Sequence, residues 1–163
     1  MSDFAVSDLN KFAAKNDANQ KPVGAVLESK KNCVALTFSK CFKKNAYTMI
    51  NYFVEKKWIS KGKDLENDET IERVLDKLGL RKVFDHTDWG TVKIGMKGHK
   101  AGRYFCINRA GYGKKGDGHA FTVIVNGKSV AVSGNNQEKL NNPYAEQIQA
   151  NDKVTVWGPA PTS

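Results

Sequence analysis

At 163 residues, 26% charged and 40% hydrophobic, the chain is long enough to bury a core as one domain and too mixed in composition for a disordered or fibrous protein. Its 26 basic and 17 acidic residues leave a formal charge of +9, which favours an acidic partner: nucleic acid, anionic lipid, cell-wall polymer or an acidic protein. Charge alone does not choose among them, but no apolar run of about 18 residues offers a membrane span.

The start, Met1-Ser2-Asp3-Phe4-Ala5-Val6-Ser7-Asp8, lacks the basic-then-apolar pattern of a signal peptide. Synthesis in the cytoplasm is expected, with export only by a dedicated secretion system. Cys33, Cys41 and Cys106 are an odd set at spacings that match no zinc pattern, so the chain reads as reduced, with Cys41 and Cys106 as buried thiols and no metal required.

Residues 1–24 read as a polar N-terminal extension with a short helix near Ser7–Lys15. Pro22 and Gly24 then punctuate the approach to a helical part, 25–79. From Cys33 to Lys44 the apolar Val34, Phe38, Cys41 and Phe42 fall three or four apart, and Lys40, Lys43 and Lys44 suit the C-terminal end of the dipole. A second helix is expected over Ala46–Lys57, with Met49, Ile50, Phe53 and Val54 on one face. A third has Asn67 or Asp68 as its cap, Ile71, Val74, Leu75 and Leu78 as its stripe, and Gly79 as its stop.

After Gly79 the period changes to two, and 80–158 reads as sheet. Val92, Ile94 and Met96 alternate with polar or small neighbours, and Arg103–Arg109 is rich in strand formers. Strands over His119–Val125 and Lys128–Gly134 are joined by Asn126-Gly127, a strong two-residue hairpin signal. A last strand, Lys153–Trp157, precedes a short tail, 159–163, while 136–150 reads as loop or short helix. Helices followed by an antiparallel sheet make an α+β domain, N-terminal helices packed on a C-terminal antiparallel sheet.

Two features of this layout carry chemistry. Cys33 opens a helix, where the N-terminal amides, the neighbouring Lys30 and Lys31 and an imidazole would all favour a thiolate. His119 starts a strand on the same face as Phe121, Val123, Val130 and Val132. A turn at Asn126-Gly127 sets Gly134 opposite it, which leaves room for a reacting group.

An imidazole acting as base needs a partner on its other nitrogen. Strict alternation offers Asn136, a bulge at Gly134 offers Asn135, and Ser133 is a weaker third; Asn135 is preferred because glycine suits a bulge. His86 and His99 are assigned to loops.

A cysteine at a helix start, then Gly118-His119 on a strand and a polar residue 16 positions beyond the histidine, resembles the papain-like cysteine hydrolase superfamily. Asn32-Cys33 opening a helix, with Gly118-His119 and Asn126-Gly127 in a hairpin, also looks like the cell-wall amidase effectors that bacteria inject through type VI secretion systems, and like related toxin and effector proteases. Leu27 stands where papain has its oxyanion glutamine, and Val34-Ala35-Leu36-Thr37 replaces the arginine and serine of the amidase effectors. Backbone amides at the helix start would then hold the oxyanion.

The resemblance implies a papain-like fold, a Cys33–His119–Asn135 site without cofactor, and a peptide, protein or peptidoglycan substrate. It also implies a cognate immunity or inhibitor protein. The glycine-rich stretch 110–118 adjoins His119, and its Tyr112, Lys114 and Lys115 are the candidate substrate-binding residues. It lacks the Gly-Lys-Ser/Thr ending of a nucleotide loop. The alternative is a metal-free RNase-type toxin or nucleic-acid-binding module, with Arg103, Arg109, Lys114 and Lys115 contacting phosphate.

Overall fold

A computed structural model describes residues 4–16, 33–108, 119–133 and 148–161. Along these, α1 (Val6–Asn16), α2 (Cys33–Phe42) and α3 (Ala46–Glu55) are followed by a 3-10 turn (Gly62–Glu66) and α4 (Asp68–Lys77). Next come β1 (Arg81–Asp88), α5 (Trp89–Met96), β2 (Gly102–Asn108), β3 (His119–Asn126), β4 (Ser129–Ser133) and β5 (Lys153–Gly158). The fold is α+β.

Local chemistry accounts for the starts of α3, α4 and the 3-10 turn. Asn45 caps α3 through its side chain and the Tyr47 amide, 2.8 Å, and Asn67 caps α4 through the Thr70 amide, 3.1 Å. The Asp64 carboxylate holds the 3-10 turn by accepting the amides of Ser60 and Lys61. In α1 the buried Leu9 and Ala13 are four apart, so its core face is one narrow stripe.

All strand pairs are antiparallel, and the order is β1-β5-β2-β3-β4. The last strand in the chain thus lies between the first two. Alternation gives this sheet two apolar faces. One, with Phe105, Ile107, Ala120 and Trp157, packs on α2, α3 and α4 around Phe38, Phe53 and Leu75. The other, with Tyr104, Cys106, Phe121, Val123, Val154 and Val156, packs on Trp89, Val92 and Met96 of α5.

Several expectations are corrected here. Val92, Ile94 and Met96 do not alternate along a strand, because the buried set is Trp89, Val92 and Met96, three and four apart, while Ile94 is 73% exposed. The helices therefore cover both faces of the sheet. The strand in this region is β1, whose alternation is broken by two register shifts, Lys82/Phe84 and Phe84/Thr87.

His86 belongs to β1 rather than a loop, at a positive φ of 46° beside the second shift, with its amide donating to Thr155 Oγ1. His99 does lie in a turn, after α5, with its ring 5.4 Å from that of Phe84.

The hairpin is displaced as well. Asn126 pairs with Ser129, Val125 with Val130 and Val123 with Val132, so the turn residues are Gly127-Lys128 rather than Asn126-Gly127. Gly127 has φ 63°, which a turn with glycine at its first central position requires. The apolar face is unchanged, but Val125 faces Val130 rather than Lys128, and Gly134, expected opposite His119, lies outside the described residues.

Both chain ends are also more integrated than expected. Residues 4–16 lay in the expected extension, yet Leu9 is fully buried and the Tyr52 hydroxyl of α3 donates to Asp8 Oδ2, 2.6 Å. In the expected tail, Ala160 is buried and its amide donates to the Arg103 carbonyl.

Candidate active site

Cys33 is the first residue of α2, where the leading N–H groups lack intrahelical acceptors. The helix is anchored by its apolar side, and Thr37 Oγ1 donates to the Cys33 carbonyl, 2.7 Å. This anchoring brings the Cys33 sulfur to 3.4 Å from the amide nitrogen of Ala120, which donates to it. Ala120 follows His119. The thiol, 86 residues before His119 in the chain, thus lies against the backbone of the residue that follows it.

Cys33 is 7% exposed and His119 2%. Ala120 shares the α2-side cluster with Cys33, whereas Phe121 belongs to the α5-side cluster. Alternation therefore starts the His119 side chain on the Phe121 face. The Cys33 sulfur therefore lies on the α2 side of β3, and the His119 side chain starts from the other side.

The other two cysteines have different surroundings. Cys41 lies in the seam between α2 and β3, its sulfur 3.9 Å from Thr122 Oγ1, and burial pushes its thiol up to about 12. Cys106 is raised well above the ordinary thiol range by burial, and further by Cys41. Neither is suited to form a thiolate.

Asn135, Asn136, Tyr112, Lys114 and Lys115 lie outside the described residues, as do Arg109, Leu27, Lys30 and Lys31. Ser133 is described, paired with Thr122 rather than with His119. Among the cations expected to meet phosphate, Arg103 is half-buried and donates to the Lys40 carbonyl, 2.6 Å, which ties β2 to the end of α2.

The cross-strand partner of His119 within the described residues is Asn108 of β2. Asn108 is 1% exposed, and its Nδ2 donates to Asp152 Oδ2, 3.2 Å. Sequence reasoning missed both residues. A signal existed: pairing the strand formers 103–109 with 119–125 as neighbours across the glycine-rich stretch sets the end of one against the start of the other.

Among the described residues no group of three or more histidine, cysteine or acidic side chains is placed to hold a metal ion. No protein-family model, curated protein or solved structure matches this chain.

Proposed function

We propose that this protein is a thiol-dependent amide hydrolase with Cys33 as nucleophile and His119 as base. The observation that carries this reading is the contact of the Cys33 sulfur with the amide of the residue after His119, at the first turn of a helix. A sulfur at a helix start that accepts a backbone N–H is held at a fixed place beside β3. The resemblance to papain-like hydrolases supports the same assignment.

In the reaction, His119 takes the thiol proton and the sulfur attacks the substrate carbonyl carbon. The resulting oxyanion is held by N–H groups at the start of α2. The tetrahedral intermediate collapses with cleavage of the C–N bond, and His119 gives the proton to the departing amine. Water, deprotonated by His119, then hydrolyses the thioester and regenerates the thiol.

The proposed substrates are peptide or cell-wall stem-peptide amides, with Tyr112, Lys114 and Lys115 as substrate contacts. An antibacterial toxin or effector with a cognate inhibitor fits the small size, the basic charge and the resemblance. The test is incubation of wild type, Cys33→Ala and His119→Ala with purified peptidoglycan and with a peptide library, new amine ends being read by mass spectrometry. New ends are expected from wild type alone. Equal cleavage by the Cys33→Ala variant overturns the proposal.

A further inference from the structure

The position facing His119 across the sheet is a buried asparagine that is itself braced by a carboxylate. Asn108 and His119 are register partners at the adjoining ends of β2 and β3, and they are 1% and 2% exposed. Directly opposed residues of an antiparallel pair project from the same face, with Cβ atoms about 4.5–5.5 Å apart. That spacing lets a carboxamide reach an imidazole.

The orientation of the amide is set by chemistry. Asp152 Oδ2 lies 3.2 Å from Asn108 Nδ2, and a carboxylate only accepts, so the NH2 group must be the one facing it. The carbonyl oxygen Oδ1 is thereby the atom on the other branch of the amide, an acceptor suited to an imidazole N–H.

Asp152 is held in turn. Its Oδ2 also accepts the Gln149 amide, 2.9 Å, and its backbone carbonyl accepts the Trp89 amide, 2.8 Å. The carboxylate therefore stands on a turn tied to the start of α5.

We infer that Asn108, held by Asp152, is the positioning residue that orients the His119 imidazole, in place of the asparagines after β4. The inference rests on the hydrolase reading for its catalytic meaning. In this arrangement the carboxylate fixes the amide, the amide fixes the ring tautomer, and the other ring nitrogen serves the thiol. It differs from the expected scheme in drawing the orienting group from the strand before the histidine.

The experiment uses the full chain, labelled with 15N at histidine, in wild type and the Asn108→Ala, Asp152→Asn, Asn135→Ala and His119→Ala variants. Ring 15N shifts report the His119 tautomer, with His86 and His99 as references, and the rate of Cys33 alkylation by iodoacetamide is followed against pH. Asn108→Ala is expected to mix the His119 tautomers, leave the other two rings unchanged and slow alkylation by about tenfold or more. Asp152→Asn should move both readouts in the same direction by less, because the Asn108 amide can then turn over. Should Asn108→Ala fail to fold, Asp152→Asn decides.

An unchanged tautomer and alkylation profile in these variants, or a tautomer change produced by Asn135→Ala alone, overturns the inference. If His119→Ala does not alter Cys33 alkylation, the hydrolase reading fails instead, and the tautomer readout still decides whether Asn108 orients the ring.

Discussion

Cys33 differs from the other two cysteines in where its sulfur lies. Cys41 and Cys106 are fully buried between sheet and helices, with burial pushing Cys41 to about 12, whereas Cys33 begins a helix and keeps 7% of its surface. Brief exposure of the native protein to iodoacetamide near neutral pH should therefore modify Cys33 first. Peptide mass spectrometry reads the order, and early labelling of Cys41 or Cys106 would contradict it.

A second residue-scale prediction concerns Asp8, held below the ordinary carboxylate value of 3.8 mainly by the Tyr52 hydroxyl and then by Lys56. A depressed carboxylate contributes stability that is present above its unfolded value and lost as pH falls through its folded value. The docking of α1 should thus loosen in acid below about 3.8, as followed by amide exchange in α1. Asp8→Asn should remove that acid step, and persistence of the step would show that another group carries it.

At the scale of elements, regular patterns were readable and irregular ones were not. The α4 stripe with its Asn67 cap was legible because the cap and the periodicity lie within a dozen residues. The α5 helix was misread because its three buried positions overlap an alternating set, and nothing local says that Ile94 stays in solvent. The end of β5 offers a test of such close packing. Gly158 has φ 151°, and a Cβ there would lie 2.6 Å from the Tyr104 ring and 3.2 Å from its Cα. Gly158→Ala should cost about 1–3 kcal/mol or more, through strain and overpacking, measured as a lower urea midpoint. An unchanged midpoint would mean that β5 and β2 separate easily there.

For the whole molecule, the decisive feature is a sheet covered on both faces. Phe38 of α2 packs on Phe105, ring centroids 4.6 Å apart, and Trp89 of α5 packs on Phe121 at 5.7 Å, from opposite sides. The two clusters are separated by the sheet, and distant sites add. Phe38→Leu and Trp89→Phe should each cost about 1–2 kcal/mol, and the double variant should equal their sum within about 0.5 kcal/mol. Urea unfolding of the four proteins checks this, and a large coupling would show that the faces respond as one core.

Neighbouring residues were enough to mark Cys33 at a helix start, His119 at a strand start, Cys41 and Cys106 as core thiols, and a hairpin near Gly127. Each of these depends on capping, on periodicity or on a φ requirement, all of which act within a few residues. Long-range pairing alone inserted β5 between β1 and β2, turned α5 onto the second face, brought the Cys33 sulfur to the Ala120 amide and set Asn108 opposite His119. The physical reason is that strand order and register minimise exposed apolar surface and unpaired backbone over the entire chain, so no local stretch encodes which distant residue becomes a neighbour.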